Sequence, residues 1–475
     1  MYPIQDAKNQ NVNQEREIKK GHVRLQWATA ILSNVFTITY GLQIGWLSSV
    51  TTLLQSDHSP TGRPLSDTEV AWVASLPPLV SAFSTSPYSW LVDRYGRKFG
   101  IMTIGLAQAI GWILCVPANP TCIIVSRIFC GIGAGGCYNI VPMFVKEISQ
   151  DNMRGILGFI LMLGQNIGVL VIYGLAAYVD YYVVLWITAV IPLLNAVGML
   201  WAPESPVYLV KIGKNDEAAK TIARLRGLDV DDKVVQHEMN NIKREDETFK
   251  SIPNISFFGI FKNPAWRNGF VLMFLLMSVR GANGGAAIIM YASTILRNSG
   301  VTVNPELQTM SFPAFMIVGS FAAMCCVERF GRKPILAVTS LISALSFAGL
   351  AIVFMVNESG GAVPGWVSVV LLVVGEFAFA AGVSPLPFII LSEMFNFQIR
   401  AKMMGILAGV AWFFTFIQCF AFGPVTNAYG AHVSFFCFAF INVFGIVTTL
   451  LLPETKGKNI EQIENALVRR KHADT

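Results

Sequence analysis

The sequence predicts an all-helical membrane protein with twelve spanning helices in two similar six-helix halves. Its 475 residues are 53% hydrophobic and only 13% charged, whereas soluble proteins have about 25% charged residues. Its apolar runs are long enough to cross a hydrocarbon core of about 30 Å, and only helices or closed barrels satisfy their backbone there. A charged motif also occurs twice, about half the chain length apart.

The repeated motif is Asp-Arg-Tyr-Gly-Arg-Lys at residues 93–98 and Glu-Arg-Phe-Gly-Arg-Lys at residues 328–333, which are 235 residues apart (328 − 93). Two more features recur at a similar offset. A glutamate precedes an arginine by seven positions at 147 and 393, and a Pro-Glu pair ends each half at 203 and 453. Self-similarity at a fixed offset indicates one structural unit used twice, which is typical of transporters with parallel repeats.

Each predicted span begins and ends where the apolar run does. The spans are Leu25–Leu54, Val70–Val92, Gly100–Pro117, Thr121–Val145, Ile156–Val179, Tyr181–Ala202, Asn268–Leu296, Leu307–Val327, Pro334–Val356, Val363–Ser392, Met403–Tyr429 and Ala431–Leu452. We therefore divide the chain into a tail (1–24), a first bundle (25–202), a helical linker (203–267), a second bundle (268–452) and a second tail (453–475).

Positive charge is concentrated in the loops on one side of this topology, which holds both repeated motifs, whereas the loops on the other side carry Arg63 and Arg297. The positive-inside rule then places both termini and the linker in the cytoplasm. The first residues lack an apolar stretch, so we expect no cleavable signal peptide. In the linker, Asn215 is expected to cap a short helix that Gly227 ends. Asn357 begins a sequon on the opposite side.

Several classes of function find no support in the sequence. The net charge of +6 is explained by cations that flank spans, so no nucleic-acid partner is expected. The cysteines lie in or beside apolar runs and match no metal site; Cys115 and Cys122 flank a short turn and could form a disulfide, but nothing requires it. The sequence shows no nucleophile and base in an order typical of an enzyme, and it implies no cofactor. The expected partners are a small solute and the lipid bilayer, and the expected state is a monomer.

From about Thr29 to Gly457 the chain resembles the sugar porter family of the major facilitator superfamily, and within it the trehalose and hexose porters of insects. The motifs that carry this resemblance are Arg127-x-x-x-Gly131-x-Gly133-x-Gly135, Pro142-Met143-Phe144-Val145-Lys146-Glu147, Arg154-Gly155, Pro203-Glu204-Ser205-Pro206 and Pro453-Glu454-Thr455-Lys456-Gly457. The resemblance implies transport by alternating access around a central site, in the plasma membrane. The glycines suit close helix packing.

The charged motifs are expected to form a gate at the cytoplasmic ends of the helices. Pairs that join the two halves would hold that end shut, yet modest individual strengths would let it open. The alternative is simple topology, in which cytoplasmic cations have incidental acidic neighbours. The residues of this expected network are Asp93, Arg94, Arg97, Glu147, Arg154, Glu204, Glu328, Arg329, Arg332, Glu393, Arg400 and Glu454.

The expected sugar site departs from the family pattern at most of its amides. Met162 stands where the family has glutamine, with Gln165 and Asn166 one helical turn away, and Met316 replaces an asparagine. The Gln-Gln-x-Ser-Gly-x-Asn motif of span seven reads Arg280 to Ala286 when aligned through Tyr291. The remaining candidates for substrate binding are Asn283, Tyr291, Phe388 (where the family has tryptophan) and Trp412.

Two charges fall near the middle of the membrane. Arg280 lies about 18 Å into span seven at 1.5 Å per residue, and Glu376 lies at a similar depth in span ten. An intramembrane charge indicates function, so we predict that both side chains face the cavity and pair directly or through water. The alternative is a buried pair that only fixes helix packing.

Three functions remain open at this point. Leu47 occupies the position where proton-coupled relatives carry aspartate, which favours a facilitative hexose or trehalose uniporter. The second is a carrier of an organic anion or other polar metabolite that uses Arg280 and Glu376, with proton coupling possible. The third is a sensor that does not transport, which the short tails argue against.

Overall fold

The computed structural model describes residues 23–251, 257–299 and 308–469, and this part contains helices and no strand. Nearly all of the first predicted tail, 1–24, and the end of the second lie outside it. The N-terminal half has six helices: α1 (Arg24–Leu54), α2 (Asp67–Tyr95), α3 (Arg97–Cys115), α4 (Pro120–Ile148), α5 (Asp151–Tyr178) and α6 (Tyr181–Gly198).

Four shorter helices follow in the linker: α7 (Pro206–Lys211), α8 (Asn215–Arg226), α9 (Lys233–Ser251) and α10 (Phe257–Ile260). The C-terminal half contains α11 (Pro264–Ala282), α12 (Gly285–Asn298), α13 (Ser311–Phe330), α14 (Arg332–Glu358), α15 (Gly365–Ala378), a π-helical turn (Phe379–Val383), α16 (Leu386–Met394), α17 (Phe397–Tyr429) and α18 (Ala431–Leu451). Helix α19 (Ile460–Arg469) ends the described chain.

Within the described residues, nine helices or joined helix pairs are long and apolar enough to cross a membrane. The apolar part of α13, Ser311–Val327, is shorter. Helices α1 and α2 are long enough, with 31 and 29 residues, but more polar. Several polar side chains of α1 are buried and bond to the backbone of the same helix. For example, Asn34 Nδ2 donates to the Ala30 carbonyl (2.8 Å). The nine apolar helices or pairs, together with α1, α2 and α13, account for the twelve predicted spans. The protein is therefore an integral multi-pass membrane protein.

Glycines let several helix pairs approach closely. A Cβ added at Gly168 of α5 would lie 2.1 Å from the Ile38 carbonyl oxygen of α1, and one at Gly41 would lie 2.1 Å from the Gln165 carbonyl oxygen. The predicted role of the glycines in α4 is confirmed, since a Cβ at Gly131 would lie 2.6 Å from the Pro77 carbonyl oxygen of α2. These backbone contacts are the small-residue packing that membrane helices use.

Two spans of the C-terminal half are broken next to each other. Between α11 and α12, Gly284 adopts a positive φ of 106°, and its N–H donates to Gln418 Oε1 of α17 (2.8 Å). In span ten, the π-helical turn separates α15 from α16. A Cβ at Gly285 would lie 2.9 Å from the Phe379 ring. Broken helices at membrane depth are tolerated where they are buried or line a cavity, and they often mark a binding site.

The linker helices pack on the charged end of the N-terminal half. Helix α8 begins at Asn215 with Lys214 at its N-cap position, so the prediction that Asn215 caps it is wrong. Gly227 ends α8 in the left-handed conformation, as predicted. Arg226 pairs with Glu238 (2.6 Å) and donates to the Ile148 carbonyl at the end of α4 (2.9 Å), which ties the linker to the bundle.

Candidate functional site

The first charged motif forms a compact cluster with Glu147 and Glu204. Gly96 has φ 104° and leads directly into α3. The Glu204 carboxylate accepts from the N–H groups of Arg97 (3.0 Å) and Lys98 (3.1 Å), which open that helix. An anion there is stabilised by unpaired N–H groups and the helix dipole. The Arg97 guanidinium donates to the Glu147 carboxylate from Nε and Nη2, both at 3.0 Å.

The second motif repeats this geometry in the C-terminal half. Gly331 has φ 91°, and Glu454 accepts from the N–H groups of Arg332 and Lys333, both at 3.1 Å. Arg332 pairs with Glu393 (2.9 Å), which also accepts from the Thr455 hydroxyl (2.6 Å). Ser205 makes the corresponding bond to Glu147 in the first half. The repeat in sequence is therefore a repeat in hydrogen bonding.

The described ion pairs of these charges lie within each half and not across the two halves. Pairing across the halves in a conformation that is closed at this end stays a prediction. Arg97–Glu147 and Arg332–Glu393 each lie within one half, because each carboxylate is held beside the helix terminus that follows its own motif. Asp93 also pairs within its half, with Lys211 (2.8 Å) and Arg97 (3.4 Å).

The other predicted gate residues hold more peripheral positions. Arg94 is exposed and lies over the rings of Trp90 and Tyr95. Arg329 is exposed, and Arg400 donates to the Phe395 carbonyl (3.0 Å). The side chains of Arg154 and Glu328 lie outside the described part of the chain, so their predicted roles stay predictions.

The two capping glutamates differ in their acidity. Burial raises the pKa of Glu204 above its ordinary value, although three backbone N–H groups donate to it. Burial acts in the same direction on Glu454, but it is weaker there, and four backbone N–H donors leave the pKa of Glu454 below its ordinary value. The N-terminal cluster is therefore the less hydrated copy.

The two halves meet at the end opposite to the charged motifs. The Ser293 N–H of α12 donates to Ser48 Oγ of α1 (3.0 Å), and the Ser293 hydroxyl donates to the Ser48 carbonyl. Asn427 of α17 donates to Asp67 at the start of α2 (2.8 Å). Nearer the middle, the Tyr173 hydroxyl donates to the Ile289 carbonyl (2.6 Å). These bonds hold the halves together at this end.

A cavity that opens to solvent lies between the halves, on the inner side of this contact, with about 530 Å³ of empty space when its open part is included. Both halves contribute to its wall. Its lining residues are Tyr40, Ile44, Pro78, Tyr138, Gln165, Arg280, Asn283, Ala286, Ile289, Met290, Phe379, Ser384, Trp412 and Thr415.

Three aromatic side chains form one corner of the cavity. Tyr138 of α4 lies edge-on to both Tyr40 of α1 (5.8 Å between ring centroids) and Trp412 of α17 (5.3 Å). The Tyr138 hydroxyl bonds to Gln165 Oε1, and Met162 Sδ lies 3.9 Å from that hydroxyl. Two predicted residues, Gln165 and Trp412, thus both contact Tyr138. Met162 lies beside the same hydroxyl, about one helical turn before Gln165.

Arg280 enters the cavity from the end of α11, where span seven breaks. Its side chain is 9% exposed, its Nε donates to the Ser384 carbonyl at 3.4 Å, and its guanidinium lies 4.8 Å from the centroid of the Phe388 ring. Phe388 therefore packs against the guanidinium of Arg280. Asn283 lines the same wall, and its side-chain oxygen accepts from the Gly285 N–H (3.1 Å).

The predicted pair of Arg280 and Glu376 is not formed. Glu376 is 0% exposed, it does not line the cavity, and neither of its carboxylate oxygens has a hydrogen-bond partner among the described residues. Glu376 lies in α15, before the π-helical turn, and does not belong to the cavity wall that Arg280 lines. Arg280 and Glu376 are therefore two separate ionisable residues within the spans.

Two further candidates lie beside the cavity and do not line it. Asn166 Nδ2 donates to Ser320 Oγ of α13 (3.1 Å), a contact between the halves. The Tyr291 hydroxyl donates to the Cys419 carbonyl (3.3 Å), and its ring packs on Phe422.

Outside the cavity, Cys115 and Cys122 are both free. The Asn357 side chain accepts from the Val363 N–H (3.0 Å), and its modification stays a prediction.

The sequence did not predict two of the three side chains of the aromatic corner, nor part of the polar wall. Tyr40, Tyr138, Ser384 and Thr415 line the cavity, and none of them was a candidate. A signal existed for the two tyrosines, because each places a hydroxyl within an apolar span. Ser384 and Thr415 gave no comparable signal, since small hydroxyl residues are common in these spans and usually bond to their own helix.

Comparison with known proteins shows the family. The family model described as "Sugar (and other) transporter" matches residues 29–467. The facilitated trehalose transporter Tret1 of Bombyx mori is 28% identical over 84% of this chain and 79% of its own length. That of Polypedilum vanderplanki is 26% identical over 93% and 88%. The family is one of transporters and not of enzymes, as the sequence predicted.

Solved structures agree on the fold. The proton:xylose symporter XylE of the major facilitator superfamily superimposes with a TM-score of 0.74 at 18% identity, covering 93% of this chain and 99% of its own. The inward open form of XylE from E. coli gives 0.75 at 18% identity, with the same coverage. The chain belongs to the sugar (and other) transporter family and has the major facilitator fold.

Proposed function

We propose that this protein transports a sugar of the hexose or trehalose class by facilitated diffusion and alternating access. The observation that carries the proposal is the central cavity, where aromatic faces meet amide and hydroxyl groups contributed by both halves. Aromatic rings pack against the C–H faces of a sugar, and amides and hydroxyls bond to its hydroxyls. The trehalose transporters among the relatives support the same substrate class.

Uniport rather than proton coupling is supported by α1. Leu47, at the position where proton-coupled relatives carry aspartate, is only 2% exposed and packs in the apolar core. An aliphatic side chain there cannot exchange a proton. The solute's own gradient is then the driving force, and the substrate need only bind both conformations similarly.

We also propose an orientation and location. The positive-inside rule supports a cytoplasmic position for the charged end, the linker and both termini. A monomer in the plasma membrane is part of the same proposal. The described contacts at Ser48 and Ser293 would then lie on the outer side, so this conformation is closed to the outside.

Uptake into proteoliposomes tests the function. Labelled glucose and trehalose are offered with and without a pH gradient, and we expect saturable flux of at least one sugar that does not depend on the gradient. Trp412→Ala removes one face of the aromatic corner and is expected to raise the half-saturation concentration about tenfold, or about 1.4 kcal/mol. Trp186→Ala is the matched control, because Trp186 is 53% exposed on the outside of α6. Absence of flux for every sugar tested would refute the proposal.

Cysteine cross-linking tests alternating access. The side-chain oxygens of Ser48 and Ser293 are 3.4 Å apart, so cysteines at both positions are close enough to form a disulfide. Oxidation of Ser48→Cys/Ser293→Cys should lock the halves together at this end and stop flux, and a reductant should restore it. Each single cysteine variant, oxidised in the same way, controls for the native cysteines. Unchanged flux through the cross-linked protein would contradict a rocking mechanism.

A further inference from the structure

We propose that the central cavity binds a sugar derivative that carries a single carboxylate, such as a hexuronate, with Arg280 as the group that binds the carboxylate. The proposal rests on the function proposed above and narrows its substrate class. It starts from an imbalance of charge in the cavity: one cation lines the wall, and no acidic residue of the described chain does.

Arg280 is buried without an ionic partner. Within the described residues it forms no ion pair, and its one hydrogen bond, a long one of 3.4 Å, uses Nε and leaves both terminal nitrogens for other partners. The Phe388 ring lies against the guanidinium on one side. Glu376, the other ionisable residue predicted near this depth, has no hydrogen bond to Arg280 or to any other described residue. The protein itself therefore does not neutralise Arg280 by contact.

An isolated charge in a membrane interior is costly, and such residues commonly mark a pathway for a substrate or ion. A guanidinium presents paired N–H donors in a planar fork that matches the two oxygens of a carboxylate. A carboxylate entering the cavity would thus supply the missing counter-charge and accept from the nitrogens that no described protein group occupies.

The rest of the wall indicates the remainder of the ligand. The rings of Tyr40, Tyr138 and Trp412 line the same cavity, with the amide of Gln165 beside them. These groups suit a ring with C–H faces and several hydroxyls. A phosphate ester carries nearly two negative charges at neutral pH, and a single cation would leave one of them unpaired. The geometry therefore favours a sugar acid over a sugar phosphate.

Competition and direct uptake in proteoliposomes test this assignment. The probes are labelled D-glucuronate and D-glucose, with unlabelled D-glucose 6-phosphate as competitor. We expect the wild-type protein to take up glucuronate in preference to glucose, with weak inhibition by the phosphate ester. Since Arg280 stays with the protein while the anion crosses, an inside-positive potential should accelerate glucuronate uptake and leave glucose uptake unchanged.

The decisive variant is Arg280→Gln, which introduces the amide that sugar porters carry at this position. It should lower glucuronate uptake about thirtyfold or more, as loss of one member of a buried charge pair does, and glucose uptake should persist. Arg63→Gln makes the same change at an exposed outer-loop arginine and should affect neither. Glucose uptake that glucuronate does not inhibit, together with glucuronate uptake that is absent or that Arg280→Gln leaves unchanged, would overturn this assignment while the proposed function stands. No uptake of any sugar would overturn both.

Discussion

Replacing Gly168 with alanine is expected to destabilise the protein by about 3 kcal/mol, the upper end of the usual cost of overpacking. The added Cβ would lie 2.1 Å from the Ile38 carbonyl oxygen and 2.9 Å from both Gly41 Cα and Leu42 N. All three atoms belong to the backbone of α1, so no side chain can move aside. The two helices must separate, and the contacts along their crossing are lost. Unfolding of purified protein by SDS in mixed micelles measures the change.

Gly405→Ala is the matched control for this substitution. Gly405 also lies inside a spanning helix, α17, but a Cβ there would meet nothing within 4 Å. Alanine is the better helix former by about 1 kcal/mol, so this variant should be as stable as the parent or slightly more stable. Equal destabilisation by both substitutions would show that helix propensity or the membrane, and not the crossing of α1 and α5, determines the effect.

The features that the sequence predicted correctly depend on chain length and local chemistry. Apolar runs determine where spans lie because the bilayer has a fixed thickness. The two charged motifs could be identified as one unit used twice because their residues repeat, and the structure shows that Gly96 and Gly331 supply the positive φ between consecutive helices. Glu204 and Glu454 could be singled out because each follows a proline at the end of a half, but as gate residues; their contact with a helix N-terminus came from the structure.

The incorrect prediction of a contact between Arg280 and Glu376 concerns the direction in which a side chain points around its helix axis. Counting residues gave Arg280 and Glu376 the same depth, but depth does not say which way a side chain points. The π-helical turn at Phe379–Val383 changes the helical phase between Glu376 and the cavity wall formed by Ser384. A turn of this kind has no strong sequence signal, so the predicted pair could not be tested without coordinates.

The paired glycines of α1 and α5 are a sequence signal for close helix packing from which no prediction was made. Gly41 and Gly45 are four residues apart, as are Gly164 and Gly168, and this spacing is typical of helices in close contact. It does not name the partner helix. Close packing could be predicted for α4, where the glycines are dense, whereas the crossing of α1 and α5 became clear only from the structure.

Replacing Arg97 with alanine is expected to destabilise the protein by about 3 to 5 kcal/mol, because it leaves the buried carboxylate of Glu147 without its cation. The pair is well shielded, with side-chain exposures of 6% for Arg97 and 12% for Glu147. Arg94→Ala removes the same charge three residues earlier, where the side chain is exposed, and should cost far less. The equivalent Arg332→Ala should fall between them, since Glu393 is 27% exposed. SDS unfolding ranks the three variants.

A double variant separates the ion pair from simple loss of packing. If the cost of Arg97→Ala comes from the orphaned carboxylate, then adding Glu147→Gln removes that charge and should recover part of the lost stability. The neutral amide can still accept from the Ser205 hydroxyl, which bonds to Glu147 in the parent. If the second substitution instead adds a further loss, the arginine acts mainly through its stacking on Tyr208, 5.4 Å from the ring centroid. The charged cluster would then be a packing element, and the same test on Arg332 and Glu393 would show whether both halves share that property.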